Sequence, residues 1–293
     1  MFITALCLRV WDALVHPTVR LEANFPWSFK KMGKSYLVAT AFFYLGSFLP
    51  VLLFLGAVAL LSQIDPMLFV KVMSPFFKEN GEPAVTFLVG LGAISFAGGF
   101  SLELWYLRRC LHKDGLSLRG IMALNLNSLK GSWGGPVWAA IWRAALVYGI
   151  WYALEHLLGL ILPSAEQDTA KLAQQLSGGN LVAFFLMAAV GAPILEEIVF
   201  RGFLFQALRS AFRNGYWAKL VGNRAGLADL AAVALSAACF SVAHLQFSPV
   251  TMLMLFLLGC LHAELYRRSG SLVPSMILHA LNNGLAVLLL ALS

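Results

Sequence analysis

Two adjacent carboxylates, Glu196 and Glu197, stand in the otherwise apolar run Pro193-Ile194-Leu195-Glu196-Glu197-Ile198-Val199-Phe200-Arg201-Gly202. Neighbours on a helix point about 100° apart, so the two acids cannot share one task. Glu197 and Arg201 are spaced i,i+4 with the acid first, the favourable order for a helical ion pair. Glu196 is left without that partner. A carboxylate in a poorly solvated pocket has its charged form disfavoured, which moves it toward the range of a general base. Pro193 is suited to open a fresh helical segment, with both acids in its first turn near the positive end of the dipole.

Two histidines extend the inventory. His244 closes the apolar run Ala238-Cys239-Phe240-Ser241-Val242-Ala243, and His279 and Asn283 are spaced i,i+4 so that they share one helical face. Together these residue types suit hydrolysis. Glu196 would act as base toward a water, His244 would help to hold that water, and His279 with Asn283 would donate toward a carbonyl oxyanion. The remaining ionisable groups in apolar stretches are Glu103, Arg143 and Glu155, with His262 and Glu264 near the end of one. They read as structural: Glu103 pairs with Arg108 or snorkels, Arg143 and Glu155 are twelve residues apart and need other partners, and His262 and Glu264 border Arg267 and Arg268.

The motifs Glu196-Glu197-x-x-x-Arg201, Phe240-x-x-x-His244 and His279-x-x-x-Asn283 resemble, in order, those of the CPBP (Abi) family of intramembrane proteases, which includes the type II CAAX prenyl endopeptidases. The resemblance covers roughly residues 180–292. It implies Glu196 as the base that activates water, His244 as its partner, His279 and Asn283 as oxyanion stabilisers, and Glu197 and Arg201 as a brace. Proteins of this kind have been described both as metalloproteases and as metal-free glutamate proteases. No cofactor is favoured here; if zinc is bound, Glu196, His244 and His279 are its expected ligands, with a fourth position for water.

The elements that must position these residues follow from the composition. Of 293 residues 60% are hydrophobic and 12% charged, about half the roughly 25% of soluble domains, which excludes an ordinary soluble enzyme. Seven apolar stretches, at 36–62, 84–107, 137–162, 181–206, 228–246, 250–266 and 272–292, approach the ~20 residues a span requires. In lipid they must be helices, since open strands would leave backbone groups unpaired. The expected fold is therefore all-α, a polytopic membrane bundle of about seven transmembrane helices. Three regions follow: a cytoplasmic or interfacial segment 1–35, a transmembrane region 36–179 of unknown role, and a catalytic core 180–293.

Charge sets the topology. Bases in the connecting segments alternate between rich and poor loops, sixteen on one side and three on the other, so the net +7 reads as a positive-inside code with a cytoplasmic N-terminus. It requires no nucleic acid. The four cysteines, Cys7, Cys110, Cys239 and Cys260, have neither disulfide nor metal-ligand spacing. One difficulty concerns depth. At ~1.5 Å per residue, Glu196 and His279 fall toward the basic side, whereas His244 counted from 228 falls toward the other face. The three meet only if the helix before His244 begins beyond the basic surface and the charge-free turn Leu245-Gln246-Phe247-Ser248-Pro249 lies inside the protein.

The expected partners are a membrane-associated peptide or protein substrate and the bilayer, and the expected compartment is the bacterial inner membrane. A non-catalytic membrane protein, such as a bacteriocin-immunity factor or scaffold, is the alternative. A proton-coupled transporter is weaker, because the halves show no inverted repeat.

Overall fold

The computed structural model describes residues 27–79, 81, 83–117, 124, 126–129, 135–162, 174–214, 218, 219, 224–244 and 248–292. Among these residues every regular element is a helix, apart from an isolated bridge between Phe77 and Pro83. The helices are α1 (Phe29–Ile64), α2 (Pro66–Met73), α3 (Val85–Lys113), α4 (Gly135–Gly159), α5 (Gly178–Arg213), α6 (Ala225–Val242), α7 (Pro249–Ser269) and α8 (Leu272–Leu292). All but α2 are long and apolar enough to cross a membrane, so the chain is an integral membrane protein of seven candidate spans. The short apolar helix α2, capped by the Asp65 side chain and opened by Pro66, has no counterpart among the stretches expected from sequence.

The first two spans pack through small residues. A side chain on Gly46 would run into the Gly98 carbonyl, and one on Gly98 into that of Gly46, so glycine permits the backbones of α1 and α3 to touch. Aromatic rings close the interface on either side, with Phe43 against Phe100 at 5.0 Å and Phe42 against Tyr106 at 5.1 Å. This pair then leans on α5: Trp27 meets Phe203 edge-on at 5.3 Å and Tyr36 meets Phe200 at 6.3 Å. Residues Trp11, Phe25 and Cys7 lie outside the described residues.

Helix α5 is a single rod whose register changes twice. Met187–Gly191 and Ile198–Phe205 are π-helical, on either side of the α-helical turn Ala192–Glu197. Pro193 supplies a reason for the first change: it has no N–H to give to the preceding turn, and the Ala192 N–H reaches back five residues to Met187 instead. Pro193 therefore shifts the register without starting a new helix. The expected first-turn placement of the two acids does not occur; Glu196 and Glu197 sit in mid-rod, where a helix N-terminus contributes little.

Helix α6 runs antiparallel to α5, and named contacts fix the register. Arg209 and Arg213 bind Asp229, Ser236 donates to the Phe200 carbonyl, and the Arg201 guanidinium lies over the Phe240 ring. From Arg213 back to Glu196, and from Asp229 forward to His244, are similar climbs of about 22–25 Å at 1.5 Å per residue. The helix begins at Ala225, earlier than the 228 taken from hydropathy, and that start brings His244 to the level of the acid pair. Leu245, Gln246 and Phe247 lie outside the described residues; Ser248 caps α7 by accepting from the Thr251 N–H.

Candidate active site

Glu197 is fully buried and accepts from four donors. Its Oε1 takes Arg201 Nη1 at 2.9 Å, His262 Nδ1 at 3.0 Å and His279 Nδ1 at 3.1 Å, while Oε2 takes the Ser275 hydroxyl at 2.5 Å. A carboxylate bonded in this way can stay ionised away from water, and it spends both oxygens doing so. Arg201 is equally buried; its Nη2 donates to the Gly259 carbonyl at 3.3 Å and its guanidinium stacks 4.5 Å from the Phe240 ring centre. Gly259 allows that approach, because a side chain there would press on Ala237 and on Arg201 itself.

Glu196 faces the other way. Its side chain retains some exposure, 15% against 0% for Glu197, and lines a cavity of about 580 Å³. The same cavity is lined by His244, His279 and Asn283, so all four residues singled out as catalytic from sequence share one space. Glu197 and Arg201 are not on that wall and lie behind it. His279 links the two acids: Nδ1 is held by Glu197, and Nε2 comes within 3.8 Å of Glu196 Oε2. Since Glu197 accepts, Nδ1 carries a proton, and the chemistry left to His279 resides on Nε2.

Asn283 is oriented by a relay. The Trp151 indole N–H donates to Asn282 Oδ1 at 3.1 Å, Asn282 Nδ2 to Asn283 Oδ1 at 3.2 Å, and Asn283 Nδ2 to the Ala188 carbonyl at 3.0 Å. The relay starts at a group that only donates and ends at one that only accepts, so neither amide can turn over without opposing like to like. One N–H of Asn283 remains for the cavity. The Ala188 carbonyl is free for this role because its partner five residues on would be Pro193. His244 Nδ1 bonds its own helix at the Phe240 carbonyl, 2.8 Å away, which leaves Nε2 for other partners.

Two further residues, His262 and Ser275, join the cluster around Glu197. The sequence groups His262 with Glu264 at the basic end of α7, but residues two apart on a helix point about 200° apart. Glu264 does pair with Arg267 and Arg268, while His262 turns inward with Gly259 and Tyr266 and reaches Glu197. Periodicity along α7 could have separated them. Ser275 lies one turn before His279, so Ser275, His279 and Asn283 form one i,i+4,i+8 stripe, which extends the pair expected from sequence by one turn. Glu103 also departs from expectation. It is buried, neither snorkelling nor bonded to Arg108 among the described residues, and its carboxyl lies within electrostatic reach of Glu196.

The donor geometry bears on a metal. Among the described residues, the three metal-type donors whose atoms lie within 4.8 Å of one another are Glu197, His262 and His279. They do not fit zinc. Both oxygens of Glu197 are taken, one by a guanidinium that a divalent cation would face across the same atom, and the nitrogens directed at it are Nδ1–H groups rather than free lone pairs. The set Glu196, His244 and His279 does not come together as closely.

Seven apolar helices and a cavity lined by an acid, two histidines and an oriented amide define an integral membrane protein with a polar site among its spans. Residues 178–285, which hold all of those groups, match the family model described as Type II CAAX prenyl endopeptidase Rce1-like. The match relates the chain to the CPBP family of membrane CAAX-type proteases. No curated protein and no solved structure matches the chain.

Proposed function

We propose that the chain is an intramembrane endopeptidase that hydrolyses a peptide bond of a membrane-associated substrate by glutamate-activated water. Glu196 removes a proton from a water, the hydroxide attacks the scissile carbonyl carbon, and Glu196 returns the proton to the departing amine nitrogen. His244 helps to hold the water. The developing oxyanion accepts from the remaining Asn283 N–H and from His279 Nε2, which donates when the imidazole is protonated next to the Glu197 carboxylate. Glu197 and Arg201 hold His279 in place and do not touch substrate. The observation that carries the reading is the division of the acid pair: Glu196 shares a cavity with His244, His279 and Asn283, while Glu197 is consumed by four internal donors.

The regions 1–35, 36–179 and 180–293 are taken as a cytoplasmic or interfacial segment, a transmembrane region of unknown role and the catalytic core. The N-terminus is placed in the cytoplasm and the protein in a bacterial inner membrane; a reporter fused after Ser293 should then read outside, and a cytoplasmic signal would reverse the topology. The catalytic test is Glu196→Gln, which keeps the shape and removes the base. Cleavage of candidate membrane peptides should fall by about 10²–10⁴-fold at normal protein abundance. Unchanged cleavage would refute catalysis by Glu196, and a depleted variant would instead point to the structural role of an immunity factor or scaffold.

A further inference from the structure

Arg143 lies within α4, 8% exposed, and among the described residues it has no hydrogen-bond or ion-pair partner. Its Nε and Nη1 are buried without an acceptor, and its guanidinium lies 5.6 Å from the centre of the Trp142 ring. The expectation of a structural ion pair is thus not met. Glu264, the acid that lines the same cavity, is already held by Arg267 at 2.6 Å and by Arg268. A charged group left so in an apolar span is costly, and the site around it has room for what is missing. Arg143 lines a second cavity of about 300 Å³, separate from the catalytic one, between α4 and α7. Arg268, Glu264 and Ser269 sit on the same wall, and the rest is Leu146, Val147, Ile150, Leu261 and Leu265.

We propose that this cavity binds an anionic phospholipid. Its phosphodiester would pair with the charge of Arg143 on the cavity wall together with Arg268, and an acyl chain would run along Leu146, Val147 and Ile150. Two arginines against one twice-bonded carboxylate leave the polar end net positive, as a phosphate requires. Ile150, 43% exposed, puts the apolar end at the outer surface of the bundle, where a chain could pass into the bilayer. Arg143 stands near the start of α4 and Arg268 near the end of α7, both beside loops of the base-rich class, where a headgroup would lie.

The test is retention of lipid by the detergent-purified full chain, read by native mass spectrometry with added phosphatidylglycerol, phosphatidylcholine or inorganic phosphate. The intact protein should retain phosphatidylglycerol about tenfold more than phosphatidylcholine, Arg143→Gln should lose that preference, and Ile150→Trp, which leaves the arginine in place, should lower retention. Equal retention of the two lipids, or an undiminished preference in Arg143→Gln, would overturn the proposal. Inorganic phosphate displacing phosphatidylglycerol at equal concentration would overturn the lipid as occupant and leave a free-anion site. If Arg143→Gln does not fold, the two-lipid comparison on the unaltered protein and Ile150→Trp still decide it.

Discussion

The two ends of the molecule handle charge in opposite ways. In the most apolar window of α1 only 6% of residues are buried, and its contacts with α3 are glycine backbones and aromatic edges. The corresponding window of α6 is 44% buried, and around it α5, α7 and α8 enclose Glu197, Arg201, His262 and His279. Helices held by small residues can tolerate lipid on most sides, because their stability comes from close backbone approach. Helices that enclose a carboxylate must surround it completely, since each missing donor leaves a charge unpaired in an apolar interior. Substitutions in the two regions should therefore differ in kind as well as in size.

The largest effect is expected at the buried cluster. Arg201→Leu strips Glu197 of its one permanent cation and leaves an uncompensated buried charge, a loss of about 3–5 kcal/mol. It should lower the thermal midpoint in detergent and the yield from membranes. Restoring stability by adding Glu197→Gln would show that the cost lay in the orphaned carboxylate; a single variant as stable as the unaltered protein would break the contrast between the two regions.

Next comes Asn283→Ala, which removes one donor from the cavity and cuts the relay from Trp151. Activity should drop by about 10²–10³-fold, or 2.7–4 kcal/mol of barrier, with a much smaller change in thermal midpoint. That split between rate and stability is the opposite of the one expected at Arg201. An activity loss matched by unfolding would place Asn283 with the structural residues instead.

The contrast also explains what the sequence disclosed. Glu196, Glu197, Arg201, His244, His279 and Asn283 could be picked out because ionisable and amide groups are rare in these spans, and i,i+4 spacing paired Glu197 with Arg201 correctly. Spacing within one helix can set His262 apart from Glu264 and put Ser275 on the stripe of His279, but it cannot name their common partner Glu197, 65 and 78 residues away. Nor did it reveal the π-helical turns. The first of them depends on Pro193 being carried through a continuous rod, and a proline reads equally well as a helix start. Span count was legible from hydropathy alone, but span ends were not: α6 starts at Ala225, three residues before its apolar run, and the one charge near that start, Asp229, is paired with Arg209 and Arg213 of another helix.

A smaller effect is expected at the glycine contact. Gly46→Ala places a methyl against the Gly98 carbonyl, where backbone faces backbone and no side chain can yield, so α1 and α3 must part. Overpacking of this sort costs about 1–3 kcal/mol. Gly33→Ala, on the same helix with open space around it, should cost nothing measurable and has the better helix former. Equal midpoints for the two variants would mean that α1 and α3 are not held by close approach.

The smallest effect is expected at the edge of the first region, where Lys31 Nζ and the Trp27 indole both donate to Asp114, at 2.5 and 2.6 Å, just beyond the end of α3. The Lys31 bond, with that of Trp27, holds the Asp114 carboxyl below its usual range. A carboxylate with a depressed folded pKa contributes stability above its unfolded value, about 3.9, and loses it as pH falls through the folded value. Asp114→Asn should therefore lower the thermal midpoint at pH 7 and make no difference once the acid is protonated in both states. The size should stay under about 1 kcal/mol, because the Lys31 side chain is 47% exposed and water screens the pair. Added salt should shrink it further. A loss comparable to that of Arg201→Leu would mean that Trp27, wedged between Asp114 and Phe203, ties the first region to the core far more tightly than an exposed ion pair can.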